Sequence, residues 1–121
     1  MSNLERARFA RLVRRALMDL PPEFGRRMRN VEIVVDEEPE PGRVADGREL
    51  LGLYEGVPLT ARGYQEPYLP DRIIIFRGPI ERMSASPHRQ AEIVRDTVVH
   101  EVAHHFGISD ARLDELGLGD A

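Results

Sequence analysis

The chain has no cysteine and no lysine in its 121 residues. Without cysteine there is no disulfide to staple the fold and no thiolate to bind a metal, so any metal must be held by His, Asp or Glu. Without lysine, Schiff-base chemistry is excluded. The 17 basic side chains are all arginine, a bias assigned to coding composition ahead of function. Long apolar runs are also missing: no segment approaches the roughly 20 residues that a membrane span requires. The N-terminal stretch "MSNLERARFARLVRRALMDL" alternates arginine with apolar residues and lacks the unbroken apolar core of a secretory signal. A soluble, cytoplasmic protein is the expectation. A large excess of charge of one sign is missing too. The net charge is −4 and the pI about 5.6, which excludes the whole protein as an electrostatic binder of nucleic acid.

Length suits one small hydrophobic core, and residues 1–121 are expected to form a single domain. Arg6, Arg8, Arg11, Arg14, Arg15, Arg26, Arg27 and Arg29 crowd the first quarter of the chain. Phe9, Leu12, Val13, Ala16, Leu17 and Leu20 nevertheless share one side of a helical wheel, which places Arg8, Arg11 and Arg15 on the opposite, solvated side. A first helix from Leu4 to about Leu20 is expected, stopped by Pro21-Pro22. Three strands should follow: "VEIVV" from Val31, the short run Leu53 to Glu55, and the continuous apolar run Ile73 to Phe76, which suits a strand covered on both faces.

From Ser86 onward the pattern is helical. Ser86 is a good N-cap, Pro87 sits at the first helical position, and Gly107 is placed to end the helix in the left-handed conformation. Val94, Val98 and Val102 recur every four residues as the core-facing stripe, and His100 and His104 lie outside it.

His100, Glu101 and His104 spell "HEVAH", the His-Glu-x-x-His pattern of zinc peptidases. Positions i and i+4 share one face, so both imidazoles can reach a single ion at about 2.0–2.1 Å. Glu101, about 100° round the helix, can accept a proton from a water on that ion. "HEVAHHFGISD" extends the pattern to His-Glu-x-x-His-x-x-Gly-x-x-Asp, in which the glycine turns the chain and Asp110 becomes a third ligand. Ser109 or Asp110 could equally cap a short final helix, in which case Asp114 and Glu115 are the remaining carboxylates close in sequence. His105 points away from His104 and should be packed; His88, more than three turns from His100, should be solvated.

The blocks "LLGLYEGVPLTARG", "LPDRIIIFRGPIER" and "VVHEVAHHFGISDARLDELG" resemble, in the same order, those of small bacterial proteins known as minimal zincin-like metallopeptidases. The resemblance implies an α+β fold in which a short three-stranded mixed sheet lies between an N-terminal helix and a C-terminal helix carrying His-Glu-x-x-His. It implies one zinc ion on His100, His104 and Asp110, with Glu101 as general base, and a peptide or protein substrate. Larger zincins have a second domain forming the far wall of a cleft, and metzincins a methionine turn beneath the metal. This sequence has no room for the first and no methionine after Asp110 for the second. Zincins also place a Tyr, His or Arg opposite the metal to stabilise an oxyanion, and Tyr54, Tyr64 and Tyr68 are the tyrosine candidates. The sequence therefore supports a zinc-dependent peptide or amide hydrolase, with a non-catalytic peptide-binding module on the same scaffold as the alternative.

Overall fold

The computed structural model describes residues 3–20, 22, 24, 31–45, 48–56, 71–108 and 110–115. Helix α1 (Asn3–Met18) forms over the expected amphipathic stretch and buries Phe9, Val13 and Ala16. Its last turn is extended by hydrogen bonds from the Asp19 amide to the Arg15 carbonyl and from the Leu20 amide to the Leu17 carbonyl, which carries Leu20 into the core. Strand β1 (Val31–Asp36) follows, then a two-residue ribbon of β2 (Val44–Ala45) and β3 (Arg48–Glu49), and then β4 (Gly52–Glu55) and β5 (Asp71–Phe76). Helices α2 (Arg77–Met83), α3 (Pro87–His105) and α4 (Asp110–Glu115) complete the order.

The main sheet is mixed, in the order β1-β5-β4. Strand β5 lies at its centre, parallel to β1 with Ile73 opposite Ile33, and antiparallel to β4 with Ile73 opposite Tyr54. Every residue from Ile73 to Phe76 is buried, as a continuous apolar run requires when both faces of a strand are covered. Helix α3 packs on β4 and β5 with one flank and on α1 with another. Its valine stripe explains this: Val94, Val98 and Val102 join Phe9, Val13, Ile73, Ile75 and Ile80 in one apolar cluster. No helix among the described residues is long and apolar enough to cross a membrane.

The sequence reading identified neither α2 nor the β2–β3 ribbon. Gly78 and Pro79 give α2 the local look of a turn, but Pro79 stands in the first helical turn, where the missing N–H costs nothing. Tertiary contacts then decide. The buried Arg77 guanidinium bonds Glu37 at 3.0 Å and Glu81 at 2.8 Å, and the Gly78 amide donates to the Glu37 carbonyl at 2.9 Å. Glu81 is a local i,i+4 partner, but Glu37, 40 residues away from Arg77, is visible in no local pattern.

Arg82 at the other end of α2 joins Glu38 at 2.7 Å and Glu49 at 2.9 Å, tying the helix to the loop after β1 and to β3. Its hydrogen bonds hold the Glu38 carboxyl below the usual glutamate range. A carboxyl held low in the folded state contributes stability above its unfolded pKa and loses it as the pH falls through the folded one. The gap in melting temperature between the parent and Arg82→Ala should therefore be widest near neutral pH, close as the solution is acidified through the glutamate range, and shrink in high salt because the network is exposed. Scanning calorimetry across that range checks this, and a gap independent of pH would refute it.

Candidate metal centre

Helix α3 starts as its sequence requires. The Ser86 hydroxyl accepts from the Arg89 amide at 3.3 Å, and Pro87 occupies the first turn. It stops just as sharply. The Ile108 amide donates to the Ala103 carbonyl at 2.9 Å and the Gly107 amide to the His104 carbonyl at 3.0 Å, with Gly107 at φ 73°. This pair of bonds around a left-handed glycine is a Schellman termination, which turns the chain away directly after the second histidine.

On the last two turns of α3, one donor atom from each of His100, Glu101 and His104 lies within 4.8 Å of the others. The two imidazoles sit edge to face with centroids 4.5 Å apart, both half-buried. Glu101 is buried, and one of its carboxylate oxygens is 3.3 Å from His104 Nδ1. Imidazole nitrogen and carboxylate oxygen are the donors zinc takes when cysteine is absent, and donors this close can converge on one ion. The cluster therefore fits a metal such as zinc. Among the described residues it is the group of His, Asp and Glu side chains with this property.

The other expected site residues fare differently. Asp110 is the first residue of α4, but its side chain is outside the described residues, as is that of Asp114. Glu115 is exposed and paired with Arg112 at 2.7 Å. Tyr64 and Tyr68 also lie outside the described residues. Tyr54 is described, and its hydroxyl donates to Asp71 Oδ2. That bond ties it into the interface between sheet and helix. His88 is solvated, as its position implies, and pairs with Glu92 at 3.1 Å.

Sequence reasoning missed the partner of His105. This side chain is wholly buried, and its Nδ1 lies 2.8 Å from Asp71 Oδ2, the oxygen that also accepts from Tyr54. A carboxylate can only accept, so the imidazole carries its proton on Nδ1. His105 Nε2 is buried with no hydrogen-bond partner among the described residues. One carboxylate thus collects a donor from β4 and a donor from α3, 17 and 34 residues away from it. The backbone crowds it as well: a Cβ on Gly56, at φ 147°, would fall against the Asp71 carboxyl. The only local hint was "HH", in which a second histidine stands next to a ligand candidate but a full 100° away from it.

Residues 28–119 match the family described as zincin-like metallopeptidase, and the chain belongs to that family. Among solved structures it is similar to a conserved hypothetical protein from Thermus thermophilus. The two are 24% identical, the match covers 90% of this chain and 94% of that one, and the TM-score is 0.51. That likeness concerns the fold. No curated protein was found to match.

Replacing Asp71 by Leu removes the oxygen that accepts from both Tyr54 and His105 and leaves two donors without it. Leaving a buried donor unsatisfied costs about 1–3 kcal/mol. Asp71→Leu should lower the unfolding free energy by at least that amount, read as a lower urea midpoint with an unchanged slope, and Tyr54→Phe, which removes a single bond, by about 1 kcal/mol. An unchanged midpoint in Asp71→Leu would show that this junction contributes nothing net.

Proposed function

We propose that the protein is a zinc-dependent hydrolase of peptide or amide bonds, in which His100, His104 and Asp110 hold one zinc ion and Glu101 is the general base. The observation that supports it most is the convergence of two imidazoles and a buried carboxylate within 4.8 Å, at the end of a helix in a zincin-like chain.

Zinc, when bound, supplies a Lewis acid that polarises a carbonyl and lowers the pKa of a coordinated water to about 7. The chain's own residues do the rest. His100 and His104 present nitrogens from one helical face, held by the backbone bonds of a helix that ends one residue later. Glu101 accepts the proton from the attacking water and afterwards returns it to the leaving amine nitrogen, which departs as a neutral group. Burial serves this role by excluding bulk water from the carboxylate, while His104 Nδ1, 3.3 Å away, keeps one oxygen turned toward the imidazoles. The Schellman turn at Gly107 ends the helix ahead of Asp110, the proposed third ligand, six residues after His104.

Calorimetric titration of chelator-treated protein with zinc is the test. One equivalent should bind per chain, and His104→Ala should lose it. Asp110→Ala separates the two roles open to that residue: loss of a ligand lowers zinc affinity, whereas loss of a helix cap costs about 1 kcal/mol of stability and leaves affinity intact. Glu101→Gln should keep the zinc and lose about 10²–10⁴-fold of the turnover of a quenched-fluorescent peptide library. Undiminished turnover in that variant would overturn the mechanism. Binding of no zinc by the parent would shift the assignment to a peptide-binding module.

A further inference from the structure

Gly52 lies inside β4, paired with Ile75 in extended backbone, and has no positive φ that would call for glycine. Glycine within a strand is unfavourable unless another group approaches closely. Here the approach is from α3 and β5. A Cβ on Gly52 would meet Thr97 Cγ2 at 2.8 Å, Glu101 Cγ at 3.2 Å and the Ile74 carbonyl oxygen at 3.3 Å. The first of these distances cannot be tolerated without movement.

What moves follows from how each neighbour is held. Ile74 O belongs to the backbone of the central strand. The Thr97 methyl cannot swing aside, because the Thr97 hydroxyl donates to the Ile93 carbonyl at 2.7 Å and fixes the rotamer. Strand and helix must therefore part, or the aliphatic arm of Glu101 must yield. We infer that Gly52 is a positioning residue for Glu101: by presenting no side chain, it lets β4 lie directly on the turn from Thr97 to Glu101 and keeps the carboxylate beside His104. This rests on the proposed role of Glu101 as base, but the placement itself can be measured without it.

The test compares Gly52→Ala, Thr97→Ser and Gly52→Ala/Thr97→Ser with the parent. Thr97→Ser deletes the obstructing methyl and retains the hydroxyl that bonds Ile93. The first readout is the side-chain carboxyl carbon resonance of Glu101 in metal-free protein, assigned from its absence in Glu101→Gln. It should move in Gly52→Ala and return most of the way in the double variant. The second readout is turnover of the peptide library by zinc-loaded protein: kcat should fall about 10-fold to 100-fold in Gly52→Ala with KM nearly unchanged, and recover with Thr97→Ser. Zinc affinity should hold throughout, since the added methyl touches neither histidine.

An unmoved Glu101 resonance in folded Gly52→Ala overturns the inference. So does a double variant that regains thermal stability while its Glu101 resonance stays displaced. If Gly52→Ala does not fold, the double variant decides: a folded protein with the parent resonance supports the inference, and an unfolded or displaced one refutes it. Absence of Glu101-dependent hydrolysis in the parent would sink the hydrolase reading alone, because the resonance is read without metal or substrate.

Discussion

The Asp71 carboxylate holds together the two elements on which the candidate centre rests. It stands at the first residue of the central strand, is 2% exposed, and accepts hydrogen bonds from Tyr54 on the neighbouring strand and His105 at the end of α3. A buried carboxylate without such donors would be strongly unfavourable, so its burial and its two partners imply one another. The apolar contacts of Val94, Val98 and Val102 fasten α3 to the core without regard to direction. The Asp71–His105 bond is directional. It fixes the rotation of the last turn about the helix axis, and with it the direction in which His104, the adjacent residue, presents its ring.

Strand β4 and helix α3 are matched in step as well as in contact. Residues Gly52 and Tyr54 lie on the same face of the strand, separated by about 7 Å. Thr97, Glu101 and His105 lie on one face of the helix at successive steps of about 6 Å. Gly52 accordingly meets Thr97 and Glu101, and Tyr54 meets His105, with ring centroids 5.8 Å apart. The polar face of the helix is thus divided into a flank that packs under the strand and a flank that carries His100 and His104. Glu101 belongs to the first flank by burial and to the second by its contact with His104, which is the position the proposed general base requires.

The parts of the fold that could be read from sequence are those set by local patterns. Ser86-Pro87 and Gly107 marked the ends of α3 because caps act within one turn, and the valines marked its core face because burial repeats with the helical period. The run Ile73 to Phe76 marked the central strand for the same reason. Features made by distant partners left no such trace: α2 depends on Arg77 meeting Glu37 across 40 residues, and His105 depends on Asp71 across 34. A sequence shows which titratable residues can share a helical face, as His100, Glu101 and His104 do. It does not say which of them will be consumed in holding the others.

That distinction sorts the three histidines in the last two turns of the helix. His100 and His104 are half-buried and share a face, with the Glu101 carboxylate against His104 Nδ1. His105 is fully buried, with Nδ1 bonded to Asp71 and Nε2 without a hydrogen-bond partner among the described residues. The half-buried pair and the buried one are therefore complementary consequences of the same helix. Its last two turns present two ligand candidates while a third imidazole, one residue on from His104, anchors them to the sheet from beneath.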